Sequence, residues 1–137
     1  MPMSQGQRCD ALVENVDLYP TLAELCRLES QEPTEGLSFA PLLRAPERPW
    51  KTAAFVQTEN GVGDKRIEGR GVRTARWKFN LYNDGQAGVE LYDCVSDPHE
   101  YSNLADDPRY AHRCAELKQI LEQGWRAALP AEVIRRD

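Results

Sequence analysis

Three groups of residues in this chain are of types that can do chemistry: four cysteines, two histidines, and the polar, glycine-rich stretch QTENGVGDKRIEGRG from Gln57 to Gly71. Cys9, Cys26, Cys94 and Cys114 are far apart and form no CxxC pair, so nothing in their spacing suits a zinc ribbon. The opening MPMSQGQRCD lacks the basic-then-apolar order of a secretory signal. The cysteines are therefore expected to be free, partly buried thiols. His99, in a turn, and His112, on a helix, have no carboxylate or cysteine at ligand spacing and read as surface residues. In the glycine-rich stretch, Lys65, Arg66 and Arg70 add local positive charge, with Gln57, Glu59 and Asn60 close by in sequence. Charged loop tips of this kind ordinarily face solvent.

The acidic residues also receive structural readings. Asp17 precedes a helical pattern and suits an N-cap, accepting from the free N–H groups of the first turn. Asp93, Asp97 and Pro98 read as turn residues. Their spacing lacks the regularity of a calcium loop, so no metal site is expected from them. Asn103 and Leu104 read as a loop plug. Trp77, Tyr82 and Tyr92 read as core and sheet-edge aromatics rather than a platform for sugar stacking.

The elements that must position these groups follow from length, composition and pattern. The 137 residues, 41% hydrophobic and 28% charged, suit a globular chain with a modest core. A net charge of −5, from 17 basic against 22 acidic residues, argues against nucleic-acid binding driven by bulk charge. No apolar run approaches the roughly 20 residues of a membrane helix, and the chain as written is expected in the cytoplasm. Leu18, Leu22 and Leu25, with Pro20 in the first turn, predict an amphipathic helix over about Leu18–Arg27. LESQEPTEG reads as a loop. SFAPLL repeats the device on a smaller scale, with Ser38 as cap, Pro41 in the first turn, and Phe39, Leu42 and Leu43 as an apolar face.

From Thr52 the period changes from helical to alternating. TAAFVQTE reads as a strand. GVRTARWKFNLY sets Trp77, Phe79 and Leu81 against Lys78, Asn80 and Tyr82, with a break at about Ala75 to Arg76. NDGQAG is a turn before the last strand, VELYD. After Pro108, Tyr110, Cys114, Leu117, Ile120, Leu121 and Trp125 predict one long helix to about Leu129, ended by Pro130. The expected fold class is α+β: a small antiparallel sheet of three to four strands packed by a C-terminal helix and preceded by short helices.

Four segments, in order, resemble one family. LVENVDLYPTLAEL is similar to the sulfatase segment V-D-(L/I)-x-P-T-(L/I)-x-x-L, and EGLSFAPLL to G-x-S-(L/F)-x-P-L-L. GVRTARWKFNLY resembles V-R-(T)-x-(R)-(W/Y)-K-(Y/F), and ELYDCVSDPHEYSNLADDP resembles E-L-Y-D-L-x-x-D-P-x-E-x-x-N-L-A-x-x-P. The resemblance, to the arylsulfatase and iduronate-sulfatase-like branch of the alkaline-phosphatase superfamily, runs from about Gln7 to about Leu129. It implies the C-terminal portion of such a hydrolase. Residues 1–50 would be a remnant of the end of the large α/β domain, and residues 51–137 the antiparallel-sheet subdomain with its terminal helix.

The same resemblance defines what the complete enzyme would need from elsewhere. Sulfatases hydrolyse sulfuric esters with a formylglycine made in a (C/S)-x-P-(S/T)-R motif and with a calcium ion. No cysteine here has Pro two places on and Arg four places on, so no catalytic or metal residue is carried over. Neither cofactor is expected in this chain. The implied partner is the N-terminal catalytic part of a sulfatase, without which the chain is expected to be inactive. Its location would then be periplasmic or secreted if a leader precedes Met1. By resemblance, the segment holding Gln57, Glu59, Asn60, Lys65, Arg66 and Arg70 projects toward the mouth of the cleft, where its basic groups would meet an anionic substrate. Two alternatives stay open: an interaction module that self-associates through Phe39, Leu42, Leu43 and the Leu18 helix, and a piece of a phosphonate or phosphodiester hydrolase.

Overall fold

The computed structural model describes residues 6–28, 34–61 and 63–134. Most of the loop expected over LESQEPTEG lies outside the described residues. The chain divides into two units, residues 1–51 and 52–137.

In the first unit a 3-10 turn at Asn15–Asp17 leads into α1, Leu18–Cys26. Arg27 closes it in the left-handed region with φ 57°, and the Leu28 amide bonds back to the Ala23 carbonyl at 2.9 Å. The expected apolar stripe is turned outward: Leu18, Leu22 and Leu25 are exposed, while Thr21 and Ala23 are buried. Polar anchoring accounts for this. The Thr21 hydroxyl donates to the Asp17 carbonyl at 2.6 Å and accepts from the Phe39 amide at 2.9 Å. A 3-10 helix at Ala40–Leu43 follows; it buries Leu42 and leaves Leu43 exposed. Ser38 accepts from the Ala40 amide at 3.3 Å and donates to Glu24.

Asp17 occupies the N-cap position, but its side chain does not cap α1. The carboxylate, fully buried, accepts from the Leu37 amide at 2.7 Å and the Glu14 amide at 2.9 Å. Lys51 Nζ approaches both its oxygens at 2.7 and 2.8 Å, and the Glu14 carboxylate at 2.7 Å. The capping expectation is thus corrected: a buried ammonium competes for the aspartate more strongly than exposed amides can.

The second unit is built on a four-stranded antiparallel meander, β1 (Ala54–Asn60), β2 (Ile67–Arg73), β3 (Trp77–Tyr82) and β4 (Gly88–Asp93), each strand pairing with its neighbour in sequence. The β2–β3 joint falls where expected, with the Thr74 amide donating to the Trp77 carbonyl at 2.8 Å. The pairs Phe55↔Val72, Val72↔Phe79 and Phe79↔Leu91 set one apolar row across the sheet. Helix α2, Ala111–Gln123, covers that row with Leu117 and Leu121, both buried in the same core. Asn103 fastens the segment after β4. Its Oδ1 accepts from the Leu91 and Ala105 amides, each at 3.0 Å, and its Nδ2 donates to the Val89 carbonyl at 3.0 Å.

One predicted element is divided. The helix expected to reach Leu129 stops at Gln123, because Gly124 adopts φ 77°, ψ 175°, outside the helical region. A 3-10 helix, Trp125–Ala128, follows, and the Ala128 carbonyl accepts from the Thr52 amide at 3.0 Å. Pro130 then stands immediately before the short α3, Ala131–Ile134, rather than ending a long helix.

Candidate functional site

The residues singled out from sequence fall on the hairpin that joins β1 to β2. Gln57 pairs with Arg70, Glu59 with Glu68 and Asn60 with Ile67. At the tip Gly61 has φ 95°, and a Cβ there would lie 2.1 Å from the Lys65 carbonyl oxygen, so only glycine fits. Lys65 ends a 3-10 turn, Gly63–Lys65.

The register places four of the six candidates on strands and divides them between two faces, while Lys65 and Arg66 lie between the strands. Gln57, Glu59 and Arg70 share the side of the sheet that bears Phe55 and Val72, whereas Asn60 lies on the other side. Gln57 Nε2 donates to Glu68 at 3.3 Å. Arg66 is 2.9 Å from Glu59, and Arg70 is paired with Asp84, so both guanidinium groups already have carboxylate partners. All of these pairs are exposed, where ion pairs are weak and easily exchanged for another anion. Among the described residues of the hairpin, these exposed pairs supply charged groups, and no residue is a cysteine or histidine.

A second cluster lies on the sheet face opposite α2. Gly69 and Gly71 leave a hollow of about 130 Å³ lined by Val56, Thr58, Lys78, Asn80 and Tyr82. Side chains approach both glycines closely. A Cβ on Gly71 would sit 2.3 Å from Asn80 Oδ1, and one on Gly69 2.5 Å from Thr58 Oγ1. Glu90 organises the floor, accepting from Asn80 Nδ2 at 2.8 Å and from the Tyr82 hydroxyl at 3.2 Å. Burial, followed by the charge of Glu90, pushes the Tyr82 phenol above its ordinary value. The hydrogen bond to Glu100 raises the Lys78 ammonium in the same way. The alternation of WKFNLY places Lys78, Asn80 and Tyr82 on this face. The two glycines spaced for the hollow were the further signal in the sequence.

The remaining acids act within the fold. Arg76 clasps Asp93 with contacts of 2.6 to 3.1 Å and holds its carboxyl well below the usual carboxylate range. Asp93 also accepts from the Val95 amide at 3.2 Å, and Asp97 from the Ser102 amide at 2.9 Å. Cys94 and Cys114 are half-buried free thiols, both pushed up by burial. Cys9 and Cys26 are free and exposed. Among the described residues no group of three His, Cys, Asp or Glu side chains is placed to hold a metal ion. Asp17 is held by Lys51 and Asp93 by Arg76, so neither carboxylate is free to serve as a calcium ligand. No helix among the described residues is long and apolar enough to cross a membrane.

Comparison with known proteins places this architecture. The family model for N-sulphoglucosamine sulphohydrolase, C-terminal, matches residues 1–127. The Delta 4,5-hexuronate-2-O-sulfatase of Bacteroides thetaiotaomicron is 38% identical over 109 residues, 78% of this chain and 22% of that protein. The solved structure of a 2-O GAG sulfatase aligns with a TM-score of 0.66 and 34% identity, covering 78% of this chain and 23% of that one. The phosphonate monoester hydrolase of Agrobacterium radiobacter shares the fold, with a TM-score of 0.69 at 24% identity over 89% of this chain and 26% of its own. This chain thus spans about a quarter or less of each of these relatives. Complete sulfatases of this family use calcium and formylglycine. The α+β meander, its covering helix and the match over nearly all residues together show that the chain belongs to the sulfatase family, as a C-terminal sulfatase domain.

Proposed function

We propose that this chain serves a sulfatase that removes sulfate from a sulfated glycosaminoglycan or related sugar. In this reading the N-terminal catalytic portion supplies the formylglycine and calcium chemistry. The chain itself supplies the end of the large domain through residues 1–51, and secondary substrate contacts through the β1–β2 hairpin. The family match over residues 1–127 carries the reading, and similarity to a hexuronate 2-O-sulfatase and a 2-O GAG sulfatase supports the substrate class. Gln57, Glu59, Asn60, Lys65, Arg66 and Arg70 are the proposed contacts. Lys65 and the exposed Arg66 and Arg70 pairs would exchange weak internal partners for a substrate sulfate.

Reading the genomic DNA upstream of the Met1 codon tests this directly. A frame leading back to a (C/S)-x-P-(S/T)-R motif is the expected result, and unrelated sequence with its own promoter would overturn the reading. The chain alone, given calcium and an aryl sulfate, is expected to show no turnover. Turnover that copurifies with it at stoichiometric yield would contradict that assignment.

One observation favours a second reading. Leu18, Leu22 and Leu25 leave the apolar side of α1 uncovered, as an interaction module would. We assign this surface to the catalytic portion, because about four-fifths of the hexuronate sulfatase lies outside the region matched here. Sedimentation of the chain as a stable dimer would shift the assignment to a second copy.

A further inference from the structure

The turn that joins β3 to β4 curls back onto the β1–β2 hairpin. Asn83, Asp84 and Gly85 have φ of 47°, 55° and 95°, three left-handed residues in a row, a conformation that asparagine, aspartate and glycine tolerate better than other residues. This path brings Gly85 over Val89 and Leu81, where a Cβ would lie 3.5 and 3.8 Å from their side chains. Leu81 is the cross-strand partner of Arg70, so the turn reaches the face that bears that arginine. The β2–β3 ladder ends at Gly69↔Tyr82, and Asn83 extends it by one bond, its Oδ1 accepting from the Glu68 amide at 2.9 Å. Asp84 is thereby set against Arg70, with its side chain 77% exposed and that of Arg70 38% exposed, so an anion arriving from solvent can reach the guanidinium. The other charged pair of the hairpin is less free to exchange. Glu59 lies directly across from Glu68, an opposition of like charges that Arg66 relieves. Drawing Arg66 away restores that cost, whereas drawing Arg70 away releases Asp84 to water.

Resting on the sulfatase reading above, we propose that Asp84 is a specificity-determining residue: it occupies Arg70 in place of a substrate anion, and yields it to a sugar that carries an anionic group in addition to the sulfate being removed. The planar fork of Arg70 donates to two oxygens of a sulfate as it does to a carboxylate. Exposed pairs are weak, so an oxyanion on a bound sugar displaces Asp84, while a sugar hydroxyl leaves the pair closed. Selection then lies in the penalty set on the uncharged sugar as much as in the contact offered to the charged one.

The test follows the Arg70 Nε–Hε signal of the 137-residue chain by NMR. At fixed ionic strength the chain is titrated with N-acetylglucosamine 6-sulfate, with N-acetylglucosamine, and with sodium sulfate. The expected result is a shift with the sulfated sugar and none with the neutral one. Asp84→Asn, which keeps a residue suited to the left-handed turn, should tighten the sulfated sugar by about two- to fivefold at an unchanged thermal midpoint. Asp84→Gly, which suits the same φ, should do likewise. In Arg70→Gln, read from the Gly69 and Gly71 amides, replacing Asp84 should no longer matter. An Arg70 signal that ignores the sulfated sugar while Lys65 and Arg66 respond overturns the inference and leaves the proposed hairpin contact standing. Variants of Asp84 that bind as the parent does, or more weakly, overturn it too, as does an equal response to both sugars. A response to sodium sulfate alone overturns it in favour of a simple ion site. A hairpin silent to every probe overturns the hairpin contacts together with the inference. The sulfatase reading is tested apart from all of these, by the frame upstream of Met1.

Discussion

At the residue scale, Asp17, Glu14 and Lys51 form a buried cluster with two carboxylates around one ammonium. Removing the cation leaves the fully buried Asp17 carboxylate uncompensated. Lys51→Met is therefore expected to destabilise the chain by about 3–5 kcal/mol, read from the urea midpoint. Local reading found Asp17 as a helix-start residue but not its role, because its partner stands 34 positions away. Asp93 gives a pH signature. Its carboxyl is depressed in the folded state, chiefly by the Arg76 hydrogen bonds. Its stabilising contribution is therefore fully present above the unfolded value of about 3.9, and is lost as pH falls below that toward the folded value. Asp93→Asn should flatten the thermal stability profile below about pH 4 relative to the parent. An unchanged acid limb would assign the loss to another carboxylate. The six hairpin candidates were legible as a charged tip. That Arg66 meets Glu59 and Arg70 meets Asp84 depends on strand register and on a turn 14 residues away.

At the scale of elements, the meander was readable because period-2 alternation and strong turn signals agree. Phe79, Leu81 and Leu91 are buried as that alternation requires. The outward stripe of α1 was not readable, since helical spacing says which residues share a face but not which face the rest of the molecule covers. Nor was the end of α2, where one backbone angle at Gly124 overrides an apolar pattern that continues to Trp125. Two substitutions separate close approach from backbone conformation. Gly71→Ala drives a methyl toward Asn80 and Val56, both able to shift, and should cost about 1–3 kcal/mol. Gly61→Ala meets backbone at 2.1 Å and also a positive φ. It should cost more and broaden the amide NMR signals of the hairpin tip. Equal losses at the two positions would contradict the close-approach account. Leu117→Ala, in the floor of α2, should cost about 2–5 kcal/mol by calorimetry.

At the scale of the whole molecule, the exposed leucines of α1 bear on how the chain behaves in solution. Leu22→Glu on the uncovered side of α1 should raise solubility and lower any concentration-dependent sedimentation, with little change in helix content. The strand order has a kinetic consequence of its own. Because β1, β2, β3 and β4 pair only with sequence neighbours, each hairpin closes a short loop and none waits for a distant segment. Such low-separation pairing places folding toward the fast end for a β-containing domain. Residues 52–137 produced without residues 1–51 should refold in stopped flow at a rate within about threefold of the same phase in the full chain. The sheet would thus form as one unit from local pairings, whatever the pace at which residues 1–51 fold.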